Sequence, residues 1–278
     1  MPKEINWPQL LNQCSDNLLK QVSPMLKVLT RQMPNLGVGA GGDPMRQIDL
    51  TAENAITSTL EKHRVSFTLI SEESGIKEYG TNPQQAFVTT DPIDGTTNLT
   101  RGIPFYATSI AVSTEPSLNT VHTALVTDLV HNRTYTAEKG NGAMRDSQRL
   151  EPSENTLLEE AVIGMDINTF EIQNLVPRMM NIVKRIKHIR HLGANALELC
   201  YVADGTTDAF IDIRGKLRTT DMAAASLIIQ EAKAKITTPE GKPIDVRLDP
   251  TQKVSFVAAG NPHFHKIILD LVEPEKEK

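Results

Sequence analysis

The sequence predicts an α+β chain whose second half turns to α/β alternation, and three observations predict it. Residues 65–138 carry short apolar, β-branched runs separated by turn signals, as hairpin-rich sheets do. From residue 161 onward, strand-like runs alternate with helix-length segments of helical apolar spacing. The polar stretch Asp146–Glu154 stands between the two regimes, so an N-terminal lobe is expected over 1–150 and a C-terminal lobe over 151–278.

Residues 5–30 read as a helix, because Leu10, Leu11, Leu18, Leu19, Val22, Leu26 and Leu29 fall on one face; Pro24 is expected to kink or break it. The glycines from Gly37 to Gly42 predict a mobile loop. They lack the Gly-Lys-Ser/Thr ending of a P-loop and the preceding strand of a dinucleotide fold. Ala52, Ile56 and Leu60 continue a helical spacing over Ile48–His63, with Asp49 at its start. Val65–Ile70 and Ala86–Thr90 are strands, and each delivers carboxylates at its C-terminal end. Strands follow at Ala107–Thr114, Val121–Val130 and Arg133–Glu138, the last closing on a Gly140-Asn141-Gly142 hairpin signal. The first half is therefore helices backed on a largely antiparallel sheet.

In the second half, strands are expected near Ala161–Asp166, His188–Leu192, Asp208–Ile213 and Val254–Ala259. Helices are expected near Ile172–Lys187, Asn195–Ala203 and Asp221–Ala234, and a final one starts at Asn261-Pro262, with Asn as cap and Pro at the first position. The tail Glu273–Lys278 reads as a solvated end.

At 278 residues the chain can bury a sizeable core. Its net charge of −5, with no basic block and no basic-aromatic series, argues against nucleic acid as a partner. No apolar stretch approaches the roughly 18 residues of a membrane span. The N-terminus shows no basic region followed by an apolar core, so a cytoplasmic location is the expectation. Cys14 and Cys200, far apart in apolar surroundings, are expected to be reduced, packed thiols.

The run Asp91-Pro92-Ile93-Asp94-Gly95-Thr96-Thr97-Asn98 concentrates the chemistry. Two carboxylates three residues apart precede a Gly-Thr-Thr turn whose amides can meet an anion. Oxygen ligands beside an anion site suit Mg²⁺, which binds through a few carboxylates plus substrate phosphate. Asp49, Glu72, Asp91, Asp94 and Asp221 all lie at strand ends or helix starts, from which they can converge. Asp49 and Asp221 have a competing role as helix caps. Glu73 reads as solvated loop charge, and His63, His188 and His191 as ordinary surface or half-buried residues, since an all-oxygen site favours carboxylates.

Three segments, Ile70–Gly75, Asp91–Asn98 and Leu217–Ala225, together resemble the signature segments of the inositol monophosphatase family, with a match running from about Gly37 to Ala259. Asn98–Pro104, Leu199–Gly205 and Asp212–Gly215 are most similar to the archaeal branch, whose members often hydrolyse both inositol monophosphate and fructose 1,6-bisphosphate. The resemblance implies a layered αβαβα sandwich with a mixed C-terminal sheet, and a Mg²⁺-dependent phosphatase using two or three ions. It implies that Glu72, Asp91 and the Ile93 carbonyl hold one Mg²⁺ and Asp91, Asp94 and Asp221 another. Glu72 and Thr96 would orient the attacking water, Asp49 would hydrogen-bond Thr96, and the amides of Gly95 and Thr96 would take phosphate oxygens. Gly193, Ala194, Asn195 and Asp212 would meet the substrate alcohol. Arg190, Arg214 and Arg101 would either serve a second phosphate or be surface charge. A homodimer and Li⁺ sensitivity come with the same resemblance.

Three segments depart from that family's pattern. Thr220 stands where many members have Trp, Glu231-Ala-Lys-Ala234 where Glu-Ala-Gly-Gly is familiar, and Ala40 where the loop usually carries a lysine, leaving Arg46 as the nearest cation. The missing glycines are expected to alter the turn after the helix. A nucleotide 3′-phosphatase and a non-catalytic, metal-binding regulatory homologue are the competing readings.

Overall fold

A computed structural model describes residues 5–26, 35–169, 173 and 175–272. Five layers stack on one another, as the resemblance implies. Helices α1 (Trp7–Leu26) and α2 (Gln47–Lys62) pack together on one face of an eight-stranded sheet. In sequence order that sheet comprises β3 (Phe67–Ser71), β4 (Gly75–Tyr79), β5 (Phe87–Asp94), β6 (Ala107–Ser113), β7 (Val121–Asp128), β8 (Arg133–Glu138), β9 (Gly142–Arg145) and β10 (Gln148–Arg149). Its spatial order is β10-β9-β8-β7-β6-β5-β3-β4, antiparallel except for the β3–β5 pair. The short helix α3 (Thr96–Arg101) follows β5 directly.

The second sheet has the order β12-β11-β13-β15-β14, built from β11 (Val162–Met165), β12 (His188–Arg190), β13 (Ala209–Arg218), β14 (Lys235–Thr237) and β15 (Lys253–Ala259). Its β11 pairings are parallel and its β15 pairings antiparallel, so it is mixed. Helices α5 (Asn195–Ala203) and α6 (Thr219–Glu231) lie between the sheets, and α4 (Val176–Val183) and α7 (Pro262–Val272) cover the outer face.

Strand alternation assigns the layers. Ile110 and Val112 of β6 face α1 and α2 while Ala111 faces the central layer; Phe256 and Ala258 of β15 face that layer while Val257 and Ala259 face α7. Helix α6 is buried from Thr219 to Ile229, and its Ala223-Ala224-Ala225 run lets it fit between two sheets. A helix apolar on every side is a core helix.

Several expectations shift. Pro24 sits inside the last turn of α1 without ending it, and residues 27–30 lie outside the described residues, as do part of the segment before α4 and the tail 273–278. The glycine stretch is part of an antiparallel ribbon, β1 (Asn35–Val38) with β2 (Pro44–Arg46), rather than a bare loop. Asp91–Asp94 is the bulged end of β5, and the turn expected after it bends at Gly95 and opens directly into α3. Strands β4, β10 and β14 have too little apolar alternation to be read from sequence. Asn261 does cap α7, its Oδ1 accepting from the Phe264 amide at 2.8 Å. Cys14 and Cys200 are buried free thiols.

Candidate metal centre

The parallel β3–β5 pair starts the site. Ser71 and Thr90 are in register, so the residues that follow them, Glu72 and Asp91, leave adjacent strand ends together, and the Glu72 amide donates to the Thr90 carbonyl at 3.3 Å. Asp221 reaches the same point from the first turn of α6. Carboxylate oxygens of Glu72, Asp91 and Asp221 lie within 4.8 Å of one another, and all three residues are buried. The bulge between Asp91 and Asp94 turns β5 out of its ladder, and Asp91 Oδ1 accepts the Ile93 amide at 3.1 Å to hold that bend. Gly95 then adopts φ +91°, where a side chain would strain, and an added Cβ would come 3.1 Å from Ala194 Cβ and the Phe105 carbonyl.

Crowded carboxylates away from water resist ionisation. Burial pushes Glu72 up to about 7 and Asp91 and Asp94 well above the usual carboxylate range, and neighbouring acids add to it. Asp221 is raised by burial and pulled back by Arg218. Such a cluster stays charged only with cations among it. Arg218 supplies one, its guanidinium lying 2.8 Å from Glu72, 3.2 Å from Asp221 and 2.7 Å from Asp43. Three buried, converging carboxylates of all-oxygen character fit a hard divalent cation such as Mg²⁺.

Asp94 stands beside the trio and ties the two halves of the chain. Its Oδ1 accepts the Asn195 amide at 3.0 Å and its Oδ2 the Ala196 amide at 2.7 Å, so it caps α5 from the end of β5. Asn98 spans the same gap, donating to the carbonyls of Phe105 and Leu192 at 2.8 and 2.6 Å.

The glycine ribbon folds over the centre. Ala40 and Gly41 donate their amides to the carbonyls of Glu73 and Glu72 at 2.9 and 2.7 Å. Gly41 has no room for a side chain, since a Cβ would lie 2.6 Å from Glu72 Cγ and 2.8 Å from Arg218 Nη1.

Around the trio a cavity of about 530 Å³ is lined by Ile93, Asp94, Gly95, Thr96, Gly193 and Asn195, all expected from the sequence. Other expectations do not hold. Asp49 does not hydrogen-bond Thr96: its Oδ2 accepts the Arg46 amide at 2.7 Å, its Oδ1 has no hydrogen-bond partner, and the Thr96 hydroxyl donates to the Ile93 carbonyl at 3.0 Å. Glu73 is buried rather than solvated, with Oε2 unpartnered, and burial beside Asp49, Glu72 and Glu53 pushes it up to about 9. Ala194 is packed beneath Gly95 and lines neither this cavity nor its neighbour. Asp212 is fully buried and gives both oxygens to Arg214, which also pairs with Asp166 at 2.6 Å. Arg190 and Arg101 are exposed and line neither cavity; Arg190 donates to the Ile189 carbonyl at 3.0 Å. His191 is the surface residue expected, and it lines the cavity 3.8 Å from Asp166.

The sequence reading passed over Arg218, Asp43 and Asp166. Arg218 had a local signal, an arginine three residues ahead of an aspartate at a helix start. Asp43 and Asp166 had none, since only tertiary folding brings them to their arginines.

Among known proteins, the model of the inositol monophosphatase family matches residues 12–277. The fructose-1,6-bisphosphatase/inositol-1-monophosphatase of Methanothermobacter thermautotrophicus is 36% identical over 96% of each chain. The bifunctional NADP phosphatase/NAD kinase of Methanococcus maripaludis is 32% identical over 92% of this chain and 48% of its own length. Among solved structures, the extragenic suppressor protein suhB of Bartonella henselae superposes with a TM-score of 0.84 at 27% identity, covering 98% of this chain and all of the other.

Proposed function

The chain belongs to the inositol monophosphatase family, and from that premise we propose that it is a Mg²⁺-dependent phosphatase releasing phosphate from a polyol or sugar phosphate. The observation that carries this reading is the buried trio of Glu72, Asp91 and Asp221 opening onto a cavity lined by Gly95, Thr96 and Asn195. Divalent cations bound there supply polarisation of the attacking water and neutralisation of the departing oxygen.

Glu72, Asp91 and Asp221, with Asp94 and the Ile93 carbonyl, are the proposed metal-holding groups. Thr96 donates its hydroxyl hydrogen bond to the Ile93 carbonyl, so its oxygen lone pairs are turned to accept a hydrogen bond from the attacking water. Glu72 orients that water from the other side. Asp49 is kept in the machinery as negative charge behind Glu73, not as the partner of Thr96. The amides of Gly95 and Thr96 receive phosphate oxygens as charge moves toward the leaving group. Gly193 and Asn195 meet the substrate alcohol; Asn195 Oδ1 is buried without a partner and can accept a substrate hydroxyl. The homodimer implied by the resemblance belongs to the same reading, as does a cytoplasmic location. An exposed stripe of Val176, Met180 and Val183 along α4 supports a contact between copies.

Phosphate release by the purified protein from inositol 1-phosphate, fructose 1,6-bisphosphate and 3′-phosphoadenosine 5′-phosphate tests the proposal. Release that needs Mg²⁺ and stops with EDTA is expected from at least one. Absence of release from all three, with Mg²⁺ bound, overturns it in favour of the regulatory reading.

A further inference from the structure

One arginine joins the acids of the metal centre to the ribbon above them. The Arg218 guanidinium reaches Glu72 at 2.8 Å and Asp221 at 3.2 Å, two of the three members of the trio. On its other side it meets Asp43, in the turn of the ribbon, at 2.7 Å, and its Nη1 donates to the Gly41 carbonyl at 3.4 Å. These acids differ in their surroundings. Glu72 and Asp221 are buried, whereas the Asp43 side chain is 68% exposed.

A guanidinium held in this way competes with any other cation that the trio takes. A carboxylate oxygen that accepts from Arg218 has fewer lone pairs to offer, and a fixed positive charge in contact with the trio repels a divalent ion at short range. Arg218 cannot leave unpaired, because a buried charge stripped of its partners is costly. The fold offers it a way out with a partner attached. Arg218 and Asp221 line both the metal cavity and a neighbouring space of about 630 Å³. Gly41 and Asp43 line that neighbouring space too, while Glu72 lines the metal cavity alone of the two. A guanidinium turned to that side therefore gives up Glu72 and keeps Asp43 and the Gly41 carbonyl.

We propose that Arg218 is a resident competitor for divalent cations at the trio, and that Asp43 is the positioning residue that draws it off, so that a residue of the ribbon sets the affinity of the metal centre. This rests on the reading of the trio as a metal centre.

Calorimetric titration with Mn²⁺ of wild type, Arg218→Gln, Asp43→Asn and the double variant tests the proposal without any turnover. Arg218→Gln should tighten Mn²⁺ binding by about tenfold or more, since it removes the competing charge. Asp43→Asn should weaken binding by about 3- to 10-fold, because Arg218 is then left to Glu72 and Asp221. In the Arg218→Gln background the same Asp43 change should shift binding by less than about twofold. Asp43 is exposed, so its variant folds in any case. Should Arg218→Gln fail to fold, Arg218→Lys keeps the charge but not the fork that bridges centre and ribbon, and the effect of Asp43→Asn should shrink there in the same way. Mn²⁺ binding that is unchanged or weaker in Arg218→Gln, or an Asp43→Asn effect of equal size in both backgrounds, overturns the proposal and leaves the metal reading intact. Binding by Arg218→Gln but not by wild type supports the competitor role most directly, and binding by neither overturns the metal reading together with it.

Discussion

Helix α2 starts Arg46-Gln-Ile-Asp49 and helix α6 starts Arg218-Thr-Thr-Asp221, with an extended arginine at each cap and a buried aspartate in each first turn. In both, the arginine amide donates to the aspartate, at 2.7 Å in α2 and 3.3 Å in α6. The capping logic is the same, and the aspartates differ in what lies beyond the cap. Asp221 meets Glu72 and Asp91, and the Arg218 guanidinium turns onto it. Asp49 keeps one oxygen without a hydrogen-bond partner and faces the second tier of acids around Glu73. Capping a helix and joining an acidic cluster are therefore not alternatives; tertiary neighbours decide whether a capping aspartate also enters the converging trio.

Paired substitutions test that contrast most strongly. Asp221→Asn should lower kcat by at least about 10³-fold and weaken Mn²⁺ binding at least tenfold, since it removes a group from the trio. Asp49→Asn should cost about 10- to 30-fold in kcat and leave Mn²⁺ affinity within about threefold. Calorimetric titration beside steady-state kinetics reads both. Equal damage to metal binding from the two variants breaks the distinction between the helices.

How far this was legible follows from the same pair. Each aspartate was identifiable at a helix start, and Glu72 and Asp91 at strand ends, because local pattern fixes those positions. Thr96 was expected to pair with Asp49, yet the bulge at Asp91–Asp94 brings the Ile93 carbonyl to its hydroxyl first, and a bulge leaves little trace in apolar alternation. Glu73 read as solvated because nothing local announces that the Gly39–Gly42 backbone will close over it. The Asp212–Arg214–Asp166 network joins β13 to the segment after β11, and no spacing rule reports such a contact.

Smaller in effect is a dependence on pH that should belong to α2 more than to α6. Burial pushes Asp49 up to about 7 from an ordinary value of 3.8. A carboxyl whose pKa is raised by folding contributes stability that is fully present below about pH 4 and lost as pH rises through 7. At about 1.4 kcal/mol per unit, the loss reaches about 4 kcal/mol at most. Asp221 is also raised, but Arg218 opposes the shift. Urea unfolding in EDTA at pH 5, 6, 7 and 8 should therefore show Asp49→Asn gaining on wild type by about 2–4 kcal/mol across that range. A gap that stays constant with pH would mean that Asp49 is already ionised in the folded protein at pH 5.

The two helices also end alike, and there the expected effect is smallest. Arg64 follows α2 at φ 57° and Lys233 follows α6 at φ 69°, left-handed positions that favour glycine. Each exit has the hydrogen bonds of a Schellman turn: Val65 to Leu60 and Arg64 to Glu61, Ala234 to Ile229 and Lys233 to Gln230, all between 2.8 and 3.1 Å. The glycines missing from Glu231–Ala234 have thus left the turn in place, with Lys233 bearing the strain. Glycine at either site should relieve about 1–2 kcal/mol of backbone strain and return about half of it as chain entropy and lost cation–dipole attraction. Arg64→Gly and Lys233→Gly should each raise the thermal midpoint by about 1–3 °C with activity unchanged. Helix α6 is anchored to the opposite sheet at its last residue, Glu231, which accepts the amides of Gly140 and Gly142 at 2.8 and 2.9 Å. If that anchor depends on a stiff exit, Lys233→Gly gains less than Arg64→Gly, and the shortfall measures how far the end of α6, unlike that of α2, is held by the opposite sheet.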